Sequence, residues 1–226
     1  MPIALSVFQE QQDLKNKKRY SEGYRLVGNH SAVKICAYCK KAIKGKDVCY
    51  KNTFYGIESW RCVQMSPTFF CDHRCVFCWR DIDYVWPKWQ GPVDDPKEIV
   101  DGCIKAHIEL LQGFKGNPNT VAERLAEIGK PLHFAISLTG EPTMYPRLPE
   151  MIDYIHEKGM TAFLVTNGTI PEMVEKLDGV LNMANQAPGL IAMTTDIMDE
   201  TMREAIDNGV DPHAIGKTIG KVVQAL

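Results

Sequence analysis

Six of the eight cysteines fall into two triples whose spacing suits metal chemistry. Cys71, Cys75 and Cys78 form a Cys-x3-Cys-x2-Cys run, with the aromatic Phe77 just before the last thiol. Three thiolates so spaced can wrap three irons of one [4Fe–4S] cube and leave the fourth iron open to chelate a substrate. Cys36, Cys49 and Cys62 are set apart by two equal gaps of twelve residues. Spacing that wide is no local metal loop, but beside one cluster it predicts a second. Cys39 falls outside both triples. A four-thiol zinc site is the alternative, pairing Cys36 and Cys39 with Cys75 and Cys78. That pairing ignores Cys71 and leaves Cys49 and Cys62 without partners.

The setting favours thiols as ligands. No apolar run approaches the ~18 residues of a membrane span, and Met1 to Glu10 is too short and too quickly polar for a signal peptide. The chain is therefore expected in the cytoplasm, where disulfides are disfavoured. Its 226 residues, 45% hydrophobic and 24% charged, have the ordinary make-up of a folded domain, which excludes wholesale disorder. A net charge of −2 hides an asymmetry. Residues 1–80 carry 14 Lys and Arg against 6 Asp and Glu, and the remainder 12 against 22. A basic half holding seven of the cysteines points to a polyanionic partner, nucleic acid being the commonest. A solvated basic surface is the other reading.

The elements that must position these thiols are legible in part. Residues 8–34 read as a basic, polar segment, densest in charge at 15–20. Residues 35–80 show little periodicity and read as a loop-dominated metal region. After Pro-Val-Asp-Asp-Pro at 92–96, Ile99, Cys103, Ile104, Ile108, Leu110 and Leu111 are spaced for one helical face, with Cys103 as a buried hydrophobe. A short helix is expected at 120–128. The apolar run at 132–138 reads as a buried strand entering the loop Thr-Gly-Glu-Pro. An amphipathic helix follows at 148–158, stopped by Gly159. A second strand covers 161–166, and Pro171 opens a helix to Leu177. Alternating strand and helix predict an α/β fold with a parallel sheet, whose ligands gather at the strand C-termini. About three strands are expected between Phe69 and Thr166. Residues 180–226 read as two helices, at about 199–207 and 212–224.

On these residues the chain resembles a known family. Cys71-x3-Cys75-x2-Cys78 followed by Trp-Arg looks like the radical S-adenosylmethionine signature. Ala-Val-Lys-Ile-Cys at 32–36, the run from Cys49 to Glu58, Arg-Cys-Val-Gln at 61–64, the stretch 136–146 and Thr-Asn-Gly-Thr at 166–169 narrow it further. Together they resemble the archaeal-type tRNA 4-demethylwyosine synthases, over roughly residues 20–178.

The resemblance implies a partial TIM-type barrel with an N-terminal cysteine-rich extension. It implies that Cys71, Cys75 and Cys78 hold the cluster that cleaves S-adenosylmethionine, giving a 5′-deoxyadenosyl radical. That radical takes hydrogen from the N-methyl group of N1-methylguanosine-37 in tRNA-Phe, and carbons 2 and 3 of pyruvate close the third ring of the wyosine base. Cys36, Cys49 and Cys62 then hold an auxiliary cluster, and Lys51 matches the lysine that forms a Schiff base with pyruvate. An amine in a cationic, partly desolvated setting is a usable nucleophile towards a carbonyl, although Lys51 is otherwise one exposed lysine in a basic stretch.

The same resemblance places the Glu141 carboxylate and the Gly140 backbone on the methionyl ammonium, where ionic hydrogen bonds are strong; otherwise the loop is a turn that ends a strand. Asn167 is read as touching the ribose or carboxylate of the nucleoside, and Phe77 as laying its backbone against the adenine. Trp60, Trp79, Trp86 and Trp89 shield the clusters, stack on a base or pack the core.

Three parts are expected: a basic extension (1–64), a radical core (65–178) and a helical tail (179–226). The family pattern stops matching near Asp178, so the later barrel strands are expected to be missing, the edge after the strand at 161–166 open, and turnover poor. Electrons are expected from a separate flavodoxin- or ferredoxin-type donor. Another radical S-adenosylmethionine enzyme, or a zinc- or cluster-bearing nucleic-acid-binding module, is the competing reading.

Overall fold

Hydrophobic alternation along short strands builds a mixed sheet whose two faces do different work. The computed structural model describes residues 22–73, 88–89, 91–177 and 191–192. Six strands lie side by side in chain order: β1 (Tyr24–Val27), β2 (Ser31–Lys34), β3 (Cys62–Ser66), β4 (His133–Ile136), β5 (Thr161–Val165) and β6 (Ile191–Ala192). The first three pair antiparallel, and β3 to β6 run parallel. The sheet is open, as a partial barrel requires.

Successive side chains on a strand point to opposite faces, so the register sorts residues into two sets. Val33, Val63, Met65, Phe134, Ile136, Ala162 and Leu164 share one face and form the main core. Two helices cover it, α3 (Pro96–Leu111) and α5 (Leu148–Glu157). From α3 come Ile99, Val100, Cys103 and Ala106, and from α5 Leu148, Met151, Ile152 and Ile155. Each such side chain fully buried contributes about 1.5–3 kcal/mol, which makes this face the anchor of the fold. Asp95 caps α3 by accepting from the Lys97 amide at 2.9 Å, with Pro96 at the first position.

The opposite face carries Cys62, Gln64 and Ser66 from β3, His133 and Ala135 from β4, and Thr161, Phe163 and Val165 from β5. This is the barrel-interior side, and α2 (Tyr50–Tyr55) sets its aromatic rings against it. Two further short helices complete the described elements used here, α1 (Ala37–Ile43) and α4 (Ala122–Glu127). Ile35, Cys39 and Ile43 pack with Leu111, Ile128 and Trp60.

Several expectations need correction. The segment read as basic and polar contains β1 and β2, and the region read as loops contains α1, α2 and β3. Between Phe69 and Thr166 the described residues hold β4 and β5, with 74–87 and 90 outside them; another parallel strand, β3, lies just upstream. The edge of β5 is not wholly open, because β6 pairs there, with Leu164 opposite Ile191 and Val165 opposite Ala192. The boundary drawn after residue 64 falls within β3. The two tail helices, the basic run at 15–20, Trp79 and Trp86 lie outside the described residues.

Candidate functional site

The C-terminal edge of the parallel strands is tied together by hydrogen bonds between their loops. The Ser66 hydroxyl stands between the carbonyls of Thr68, at 2.9 Å, and Thr139. The Glu141 amide donates to the Phe70 carbonyl at 2.7 Å, which lays the loop after β4 along the chain leading to Cys71. Gly140 sits between them with φ +69°, and a Cβ there would run into the Thr68 and Phe70 carbonyls. Only glycine fits.

Glu141 is 2% exposed, and both of its carboxylate oxygens accept hydrogen bonds. Oε1 accepts from the Thr143 amide at 3.0 Å, the Thr143 hydroxyl at 2.7 Å and the Thr166 hydroxyl at 2.6 Å. Oε2 accepts from the Asn167 amide at 2.7 Å. Three of the four donors gather on Oε1 and one reaches Oε2, which keeps a lone-pair site to spare. Glu141 thus braces the β4 loop against the end of β5.

Asn167 carries the brace on to Cys71. Its Nδ2 donates to Asp72 Oδ1 at 2.8 Å and lies 4.0 Å from Cys71 Sγ, while Oδ1 accepts from the Thr169 amide and hydroxyl. Burial pushes the Asp72 carboxyl up, yet hydrogen bonds with Thr169, Asn167 and His73 hold it below its ordinary value. Cys71 is buried. Cys75, Cys78 and Phe77 lie outside the described residues.

A second group gathers at the interior face. Cys36 stands at the N-cap of α1, where its sulfur accepts from the Cys39 amide at 3.2 Å. Cys49 stands at the N-cap of α2, its amide and sulfur each 3.2 Å from the Ser59 hydroxyl. Cys62 opens β3. Burial pushes the Cys62 thiol up to about 12, opposed by the charge of Lys51, with Cys36 and Cys49 adding to the rise. Burial likewise raises Cys36, against the Cys39 amide and Lys51, and raises Cys39 well above its usual range. All four thiols are free and sense one another. No three described His, Cys, Asp or Glu residues converge on a single metal ion. An all-thiol group of this kind has the soft-donor chemistry of an iron–sulfur cluster. The three widely spaced cysteines and Cys39 thus lie within electrostatic reach of one another, without any three gathering on one ion.

Lys51, half-buried on α2, holds its ammonium 5.1 Å from the Phe163 ring and 5.4 Å from that of Tyr50. Two residues that sequence reasoning passed over complete this wall. Tyr55 lies one turn after Lys51, 6.2 Å from Phe163 between ring centres; its hydroxyl is buried without a hydrogen-bond partner, and burial pushes it up to about 12. His133 bonds through Nδ1 to the Thr161 hydroxyl at 2.7 Å, leaves Nε2 buried and unpartnered, and is lowered to about 4 by burial and then by Arg61. The helical spacing from Lys51 was the signal for Tyr55, and strand alternation with Ala135 was the signal for His133.

Trp60 packs beside α1 and donates to Glu127 Oε2 at 2.8 Å. Trp89 packs on His30, Phe70 and Tyr145. Both serve the core.

A parallel-strand half-barrel with a buried thiol at its C-terminal edge is the layout of a radical enzyme, and residues 65–212 match the model of the Radical SAM superfamily. The chain belongs to that superfamily, which brings with it S-adenosylmethionine and a [4Fe–4S] cluster. Among curated proteins it is similar to the S-adenosyl-L-methionine-dependent tRNA 4-demethylwyosine synthase of Pyrococcus abyssi, 45% identical over 156 residues, 68% of this chain and 46% of that protein. The rice enzyme of the same name is 42% identical over 163 residues, 72% of this chain and 25% of that protein. The chain therefore spans less than half the length of these relatives. Among solved structures, TYW1 with a lysine–pyruvate adduct bound superposes with a TM-score of 0.62 at 34% identity, over 77% of this chain and 55% of that one. Archaeal TYW1 gives 0.57 at 32%, over 78% and 57%.

Proposed function

We propose that this chain carries the pyruvate-binding and cluster-binding half of a tRNA 4-demethylwyosine synthase. The reaction joins N1-methylguanosine-37 of tRNA-Phe to pyruvate and forms the tricyclic wyosine precursor, in the cytoplasm, with electrons from a separate flavodoxin- or ferredoxin-type donor. The observation that carries this reading is Lys51: an amine on the interior face, packed on Phe163 and electrostatically coupled to Cys36 and Cys62. A solved relative holds a lysine–pyruvate adduct.

In this reading Cys36, Cys49 and Cys62 hold the auxiliary cluster, and Cys71, Cys75 and Cys78 hold the cleaving cluster. Residues 179–226 follow as a tail. A cluster with S-adenosylmethionine supplies homolytic chemistry at the strand edge, the removal of hydrogen from an N-methyl group. The chain's own residues do the positioning. Glu141 and Asn167 lock the loops after β4 and β5, Gly140 lets the backbone approach the loop to Cys71, and Phe77 and the 140–141 backbone face the cofactor. Lys51 takes up the keto acid between the two centres, and the basic residues of α1 receive the tRNA.

The test is borohydride trapping with labelled pyruvate. The parent chain becomes labelled at Lys51, whereas Lys51→Arg, which keeps the charge and removes the nucleophile, stays unlabelled. Equal labelling of both ends the proposal.

A further inference from the structure

Most of the buried polar side chains described here have partners inside the protein; the Tyr55 hydroxyl has none. An unpaired buried hydroxyl is costly, and in a native protein it calls for an explanation, a catalytic role among them. Three observations place this hydroxyl. Tyr55 is four residues after Lys51 on α2, so the two side chains share a face one turn apart. Both rest on the same Phe163 ring, the Lys51 ammonium at 5.1 Å and the Tyr55 ring at 6.2 Å between centres. Tyr55 also packs against the group formed by Ile57, Cys62 and Ala135, beside a thiol of the interior group. Replacement of the hydroxyl by hydrogen would leave every one of these packing contacts in place.

We propose that the Tyr55 hydroxyl is the proton donor for condensation of Lys51 with pyruvate, a catalytic residue of the keto-acid site. The inference rests on the Lys51 reading above. The Lys51 amine, having lost one proton to solvent, attacks C2; the nitrogen–carbon bond forms as the carbonyl π pair moves to oxygen. That oxygen takes the Tyr55 proton, and the phenolate recovers one from the new ammonium, leaving a neutral carbinolamine. In the second stage Tyr55 protonates the hydroxyl as the carbon–oxygen bond breaks, water leaves, and the nitrogen lone pair closes the C=N bond. The phenolate then takes the remaining nitrogen proton. One water is released, no electrons are gained or lost, and Tyr55 ends as it began. The hydroxyl is needed twice, which is why a residue fixed one helical turn from the amine suits the task.

The experiment follows labelled pyruvate and borohydride over time in the full chain reconstituted anaerobically, comparing the parent with Tyr55→Phe. The variant is expected to label Lys51 about 100-fold more slowly, the lower range of general acid–base effects, with iron and sulfide content unchanged. Its thermal midpoint without pyruvate should be no lower than the parent's, which a structural role for the hydroxyl would not allow. Labelling at the parental rate overturns the proposal and leaves Lys51 standing. Loss of iron from Tyr55→Phe also overturns it, by assigning the hydroxyl to the cluster. An unlabelled parent removes the Lys51 reading, and this inference with it.

Discussion

The Glu141 brace can be measured directly by Glu141→Gln. Glutamine keeps the shape of the side chain but turns one acceptor oxygen into a donor NH2. Whichever way the amide sits, a donor then faces a donor. With the oxygen kept toward Thr143 and Thr166, the NH2 meets the Asn167 amide, which now donates to Oε2 at 2.7 Å. One charge-assisted hydrogen bond is lost, worth about 1.5–3 kcal/mol, and the remaining three lose their ionic component. The total comes to about 2–4 kcal/mol, a large share of the ~5–15 kcal/mol that stabilises a typical protein. Urea unfolding of the reduced, cluster-free chain, followed by circular dichroism, should show the midpoint falling by roughly 1–2 M for a slope of about 2 kcal/mol per M. A midpoint moved by less than about 0.2 M would refute the reasoning. It would mean that the brace between the loops after β4 and β5 carries little of the fold's stability.

Other outcomes follow from the same geometry. Replacing Cys71, Cys75 and Cys78 together with alanine should leave about half of the bound iron, if each cysteine triple holds a cluster of its own; complete loss or no change would refute two separate centres. Neutralising Lys40, Lys41, Lys44 and Lys46 should flatten the salt dependence of tRNA binding by about 3 in the log–log slope, somewhat below four contacts' worth because Lys41 already pairs with Asp47 at 3.2 Å. His107 is 0% exposed with both ring nitrogens unpartnered, and burial lowers it to about 4 from 6.5. Between those values the unfolded chain binds a proton that the folded one refuses, so stability falls by about 1.4 kcal/mol per pH unit as pH drops from 6.5 to 4. His107→Leu should remove that contribution, visible as a shallower loss of urea midpoint between pH 7 and pH 5.

What could be read from the sequence divides along physical lines. The helices at 96–111 and 148–157 are long enough to show their period, and β4 and β5 are apolar on both faces, so all four stand out in the residue pattern. The elements that escaped are β1, β2, β3, α1 and α2, each of four to seven residues and without the apolar run that marks β4 and β5. None completes two helical turns or carries enough alternation to outweigh its polar neighbours, and α1 and α2 begin on cysteines, which are not favoured caps. The pairing of Leu164 with Ile191 is a long-range contact across a connection that no local pattern announces.

The interior thiols show why chemistry was more legible than fold in this half of the chain. Cys36, Cys49 and Cys62 stand at the heads of three successive elements: the N-cap of α1, the N-cap of α2 and the first residue of β3. Equal spacing is then a consequence of chain path, because each short helix and its connection carry the chain out and return it to the same end of the sheet. The cysteine spacing could set these three thiols apart as a group without revealing the elements that carry them. Side-chain alternation completes the argument. Cys62 falls on the face opposite Val63, so a one-residue slip of β3 would exchange a thiol for a core residue and bury Gln64 among the apolar side chains of α3 and α5. The packing of Val63 and Met65 against that core therefore also sets which way the Cys62 thiol faces. The stability of one face and the chemistry of the other are fixed by the same register.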